Sequence, residues 1–261
     1  MSRFLPALVL ACVAATHVSG QAKKTPPLPA PDEMRVPFKP GELLTYDVSY
    51  AGVVAAGTAT MNVESKRPSF SSMAYYVVAE GRPTPLISNL YAVYYKADVL
   101  MDVYTLLPQR AGVYSEEGQR RQMKVTTFDN AARKATYENV TAKNGKREFS
   151  VPSFTQDALS AVYVIRTLPL KAGWRESMPV STGGHAYRVQ MNVDGTESVS
   201  TPAGPFKAFR IRLTLFEDGN PKQRPMNLWI SDTPSRIPVK LQAELTAGSF
   251  DLTLREAKLG R

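Results

Sequence analysis

From Phe38 onward the chain reads in twos. Leu44, Tyr46, Val48 and Tyr50 alternate with Thr45, Asp47 and Ser49, the pattern of a strand with one buried face. The same period predicts strands over Thr58–Glu64, Met73–Glu80, Tyr91–Asp102, Gln109–Tyr114, Gln122–Phe128 and Lys134–Val140. Further on it predicts Glu176–Ser181, Ala186–Val193, Thr196–Ser200, Ala208–Phe216, Met226–Ile230, Val239–Leu245 and Phe250–Leu254. Asn144-Gly145, Gly183-Gly184, Asp194-Gly195 and Asp218-Gly219 supply the positive φ that tight hairpins need. One segment departs from this period. Between Thr155 and Arg166 the apolar spacing becomes helical, placing Leu159, Val162, Tyr163 and Arg166 on one face. Thr155 or Asp157 can cap its start, and Pro169 and Gly173 stop it. A shorter helix fits Pro85–Leu90. The fold class expected is therefore mainly β: an antiparallel barrel-like or strongly curled sheet with one packed helix over about 155–168. With so many strands, curling also removes exposed edges.

The ends of the chain change the picture. Arg3 is followed by an apolar run from Phe4 to Ala15 and by the small residues Ser19 and Gly20, the layout of a secretory signal peptide over residues 1–20. Val9-Leu10-Ala11-Cys12 is a loose lipobox, so lipidation at Cys12, giving a membrane tether, is the alternative to cleavage after Gly20. Either route leaves no free thiol in the mature chain. Residues 21–37 carry Pro26, Pro27, Pro29 and Pro31 and read as a Pro-rich linker. Residues 38–261 then form a single β-rich domain, long enough to be stabilised by its core without disulfides.

The full sequence has 261 residues, 43% hydrophobic and 21% charged, with a formal net charge of +9. That basic balance favours anionic partners. Export makes nucleic acid an unsuitable one and leaves lipid or an anionic envelope glycan. His185 is the one histidine of the mature chain, so a conventional zinc site lacks ligands and no cofactor or metal is expected. His185 follows Gly183-Gly184 in an expected hairpin turn, which suits an exposed residue better than a catalytic one. Asp98 and Asp102, four apart in one strand, are the alternative carboxylate pair for a glycan hydrolase. Six of the twelve tyrosines lie between Tyr75 and Tyr104, where rings with polar tips suit the mouth of an apolar cavity. Strict alternation does not place Tyr91 and Tyr95 on the face of Asp98.

Several segments resemble a family. Phe38-Lys39-Pro40-Gly41-Glu42-Leu43-Leu44-Thr45-Tyr46, followed by Gly52 and Gly57, is similar to the opening of a bacterial exported family known as domain of unknown function 3108. Leu107-Pro108 with Arg110, the helix Asp157–Arg166, Thr201-Pro202-Ala203-Gly204-Pro205-Phe206, and Leu228-Trp229-Ile230-Ser231-Asp232 with Arg236 and Pro238 follow in order. The resemblance spans roughly residues 38–256. It implies export, a β-rich fold and a periplasmic or outer-membrane-associated location, and brings no established activity. Arg166 is the residue that most needs explaining, because a buried guanidinium requires an acidic partner. Asp98, Asp102 or Asp157 could supply one, or a ligand anion could.

The functional expectation is a non-enzymatic binder or carrier of a hydrophobic or amphipathic envelope ligand, by analogy with exported carriers that hold lipid in a concave sheet. Its apolar inner face would hold chains, while Tyr94, Tyr95, Arg110 and Arg166 hold a polar head. The alternatives are hydrolysis by Asp98 and Asp102, or a structural scaffold.

Overall fold

The computed structural model describes residues 31–260 apart from 53, 143–144, 223–225 and 246–247. The expected signal peptide, Cys12, most of the Pro-rich linker and Asn144 lie outside the described residues.

The first half of the domain is a meander: β1 (Leu43–Tyr50), β2 (Val54–Ser69), β3 (Ser72–Pro83), helix α1 (Pro85–Leu90), β4 (Val93–Asp102), β5 (Pro108–Glu117), β6 (Arg120–Asp129), β7 (Lys134–Asn139) and β8 (Lys146–Ser150). A crossing segment leads to β9 (Gln156–Asp157) and helix α2 (Ala158–Thr167). The second half returns through β10 (Arg175–Thr182), β11 (His185–Thr201), β12 (Gly204–Glu217), β13 (Asn220–Pro221), β14 (Met226–Ser231), β15 (Pro238–Leu245) and β16 (Gly248–Lys258). All belong to one sheet. Its order runs from β8 down to β1, across to β16, and back through β15, β14, β12, β11 and β10 to β9. Every pairing is antiparallel except the short β9–β10 contact. The expected fold class therefore holds: a large curled sheet, mixed only at β9, that is not closed by a ladder.

The two edges nevertheless approach each other. Arg147 on β8 donates to the Gly184 carbonyl in the β10–β11 turn at 2.7 Å. Edge strand β8 reads Lys146-Arg147-Glu148, the charged composition that discourages pairing with a stranger.

α2 lies inside the curl. Leu159 and Tyr163 join the core of the first half with Phe38, Val77, Val99 and Met101. Ala161 and Ile165 join that of the second with Met191, Phe209, Ile211 and Ile230. A third cluster, with Leu44, Tyr46, Trp229, Val239 and Leu254, sits where the halves meet. The helix is buried almost all round, more than the one-sided spacing suggested, because it has sheet on both sides. It begins later than Thr155. Asp157 is the N-cap, accepting from the Leu159 and Ser160 amides at 2.8 and 3.2 Å, while Ser160 Oγ accepts from the Asp157 amide at 3.0 Å.

One expected hairpin is absent. Asp194-Gly195 does not turn the chain, and β11 runs through it with a bulge after Val193. Arg212 on the neighbouring strand takes both Asp194 carboxylate oxygens, at 2.7 and 2.8 Å. Gly183-Gly184 and Asp218-Gly219 do form turns with positive φ. β8 was not anticipated, because Lys-Arg-Glu-Phe-Ser carries no apolar alternation.

Candidate functional site

Cross-strand register shows which side chains share the inner face. Val63 pairs with Val77, Val77 with Val99, and all three belong to the core. Moving along the strands on that same face, the rows become small. Met61 faces Ala79, which faces Ala97, then Ala59 faces Gly81, which faces Tyr95. The next row pairs Val48 with Gly57 and Gly57 with Pro83. Beyond β1, Leu252 pairs with Leu241 and Phe250 with Ala243.

The core stops where the side chains shrink, leaving a groove of about 650 Å³. Its walls include Val48, Gly57, Gly81, Ile87, Val93, Tyr95, Leu241, Ala243, Phe250 and Leu252. Ile87 comes from α1, which crosses the end of the groove and is tied to β2 by the Thr84 amide donating to the Ala56 carbonyl at 3.0 Å. Two glycines set the shape for different reasons. A Cβ on Gly57 would strike the Arg82 carbonyl, so this glycine permits close approach of β2 and β3. A Cβ on Gly81 would find Tyr95 Cβ at 3.9 Å as its nearest neighbour, so this glycine leaves open volume.

Tyr95 stands at the mouth. It is 44% exposed, and its hydroxyl donates to Glu117 Oε1 at 2.5 Å. Partial burial, then the bond to Glu117, pushes its pKa up to about 12, so it remains a neutral donor at physiological pH. Burial likewise raises Tyr94, with its bond to Glu80 acting in the same direction.

The other residues expected to hold a polar head are elsewhere. Tyr94, one position along the strand, points to the outer face, where its ring lies 5.9 Å from Tyr114 and under the Arg82 guanidinium at 4.7 Å. Arg110 is on that outer face too, paired with Asp98 at 3.0 Å. Arg166 is in the centre of the protein. Its Nη1 and Nη2 donate to the two carboxylate oxygens of Glu42 at 2.6 and 2.8 Å. Nε and Nη2 reach the carbonyls of Arg236 and Ser235, each at 3.0 Å. Its side chain and that of Glu42 are 0% and 1% exposed. The acidic partner is thus Glu42, and not Asp98, Asp102 or Asp157. The three stand elsewhere: Asp98 on Arg110, Asp157 capping α2, and Asp102 in a turn.

Asp102 accepts from Ser72 Oγ, the Tyr104 and Thr105 amides, Thr105 Oγ1 and Gln109 Nε2 at 2.5 to 3.2 Å. It organises the turn after β4 and is 9% exposed. Asp98 and Asp102 therefore have separate partners rather than a shared opening. His185 opens β11 directly after the Gly183-Gly184 turn, half-exposed, with Nδ1 3.5 Å from Glu217.

A half-barrel of antiparallel strands wound about a buried helix, with an apolar groove at one end, is the class this structure defines. The chain belongs to the family described as protein of unknown function 3108, whose model matches residues 45–255. Among solved structures it is similar to a β-barrel-like protein of domain of unknown function 1849 from Brucella abortus. The TM-score is 0.54 at 9% identity, over 84% of this chain and 97% of that one. A protein from Bacteroides fragilis described as exported, with a YmcC-like fold, matches at a TM-score of 0.34 and 14% identity, over 87% of this chain and 100% of that one. A protein from Parabacteroides distasonis described as a lipoprotein matches at 0.32 and 12%, over 87% and 100%. No curated protein matches.

Gly57 and Glu42 entered the sequence reading only through the family resemblance, without a role in a site, and Gly81, Ile87 and Phe250 were not singled out from sequence. A signal for the groove was present as small residues at inward positions of two successive strands, Gly57 and Ala59, then Ala79 and Gly81.

Proposed function

We propose that this protein is a non-enzymatic binder of an apolar or amphipathic chain, exported to the cell envelope by residues 1–20 and holding its ligand in the groove. The observation that carries this reading is the groove itself. It is about 650 Å³, a volume suited to a small-molecule ligand, with walls that are mainly apolar, Thr58, Arg82 and the Tyr95 hydroxyl being the polar groups among them. An apolar hollow of this size offers a hydrocarbon chain a lining of dispersion partners. Tyr95 and Glu117 at the mouth offer a neutral donor and an acceptor for the polar end. Arg166, held by Glu42, serves the architecture instead.

The test is native mass spectrometry of the mature protein purified from a bacterial periplasm, followed by organic extraction, beside a Gly81→Leu variant. The parent is expected to carry an extractable adduct or to bind a fluorescent fatty acid. Gly81→Leu, whose side chain enters open volume, is expected to lose at least about ten-fold in affinity while keeping its melting temperature. A parent that binds no chain, or a folded variant that binds as the parent does, rejects this reading.

A further inference from the structure

The ends of β-hairpins are normally polar, and at one end of this sheet two neighbouring segments are not. No Asp, Glu, Lys or Arg occurs from Val48 to Val63, nor from Pro83 to Tyr95, in a chain that is 21% charged. The fold brings these stretches together. The first holds the β1–β2 hairpin and the second holds α1, and the Thr84–Ala56 hydrogen bond joins them. Both contribute walls to the groove.

The side chains at this end face solvent. Leu86 on α1 is 74% exposed, Val54 55%, Tyr91 53% and Tyr50 40%. Tyr50 pairs with Val54 across the hairpin and stacks edge-on with groove-lining Phe250 at 5.3 Å. Leu86 adjoins Ile87, which points into the groove. Charges border the rim: Arg82 and Lys96 both pair with Glu80 on the outer face, at 3.2 and 3.7 Å, while Asp251 lies near Gly52 of the hairpin and Glu117 holds Tyr95. An apolar rim of this kind, continuous with a groove, is unlike a solvated loop surface.

We propose that this rim docks on the acyl layer of a lipid bilayer, with Leu86 and Val54 inserted and Tyr50 and Tyr91 at headgroup depth. The inference rests on the preceding reading of the groove and adds where the ligand is loaded. An acyl chain has little solubility in water, so a mouth that opens against the bilayer lets it pass without crossing solvent. Tyrosine suits the boundary because its ring is apolar and its hydroxyl is wet. α1 suits insertion because its sequence, Pro-Leu-Ile-Ser-Asn-Leu, carries no charge to desolvate.

The test is flotation of the chain from Gln21 onward with vesicles of phosphatidylethanolamine and phosphatidylglycerol. The parent, Leu86→Asp with Val54→Asp, and Gly81→Leu are compared, each also titrated with a water-soluble fluorescent fatty acid below its micellar concentration. The parent and Gly81→Leu are expected to float. The double Asp variant is expected to float at least about ten-fold less while binding the soluble probe as the parent does, because buried apolar area drives interfacial binding. A parent that stays in the aqueous fraction, as it would if the rim served a protein partner, overturns the docking. So does a double variant that floats like the parent, or flotation abolished by high salt, which would assign the contact to headgroup charge. Failure of the groove reading shows separately, as loss of probe binding by the parent.

Discussion

The two halves of the sheet are built alike and filled differently. In the second half the inner face presents Met178, Met191, Phe209, Ile211, Leu213 and Ile230, which close against Ala161 and Ile165 of α2. In the first half Val63, Tyr75, Val77, Val99 and Met101 do the same near Tyr163. Toward α1 that row gives way to Ala79, Gly81, Ala59 and Gly57, and the hollow begins. Strand direction and the pairing of β3 with β2 and β4 continue unbroken through the change. Side-chain volume at alternate positions therefore decides where this fold is a core and where it is a container.

The largest effect is expected where the halves are tied together. Arg166→Ala leaves the Glu42 carboxylate buried and unpaired, and should cost about 3–5 kcal/mol in urea unfolding. Arg166→Met combined with Glu42→Leu removes both charges and should recover much of that loss. A single-variant effect near zero would mean that the pair is not what joins the halves.

The next pair of changes tests filled against hollow directly. Ile211→Ala, at a position that is 0% exposed, should destabilise by about 2–5 kcal/mol through the cavity it creates. Gly81→Val adds volume on the same face of the other half and should leave stability within about 1 kcal/mol of the parent. If Gly81→Val destabilises as much as Ile211→Ala, the hollow is not open volume.

A smaller effect is expected at Asp157, where α2 starts between the halves. Burial raises its pKa above the usual 3.8, outweighing the bonds from Ser160 and the backbone amides, which lower it. The folded state therefore holds this proton more firmly than the unfolded chain does. The resulting stabilisation is complete below pH 3.8 and is lost as pH rises through the raised value. Asp157→Asn keeps an acceptor for the helix amides without the buried charge. Against this variant, the parent should gain relative stability as the pH is lowered toward the carboxylate range. Asp157→Ala removes the cap as well and should cost about 0.5–2 kcal/mol. Unfolding curves of parent and Asp157→Asn that shift equally with pH would remove Asp157 as the source.

Much of the fold was legible because the period of two is a local signal. β1, β3, β6 and β14 fall within a few residues of their expected spans, and α1 matches its span at both ends. Misreadings arose where a neighbouring strand decides. Asp194-Gly195 has the composition of a turn, yet Arg212 on β12 holds it in a straight strand as a bulge. The site was less legible, since its walls come from β1, β2, β3, α1, β4, β15 and β16 and meet only through register. Tyr95 belongs to the groove and Tyr94 does not, a distinction one position wide that depends on which face of β4 turns inward. The partner of Arg166 lies 124 residues away in sequence, beyond any spacing rule.

The pairing of β1 with β16 sets an order of events during folding. Leu43 sits opposite Lys258, so the seam at the middle of the sheet joins the first strand to the last. A chain delivered from its N-terminus can assemble the β1–β8 meander early, but that seam stays unzipped until the final strand arrives. Such a high contact order favours slow completion. Until then β1 offers an open hydrogen-bonding edge beside the nascent groove, so an incomplete chain is exposed to wrong pairing at that edge. Truncation before β16 would split the finished sheet at its centre instead of fraying it at a margin.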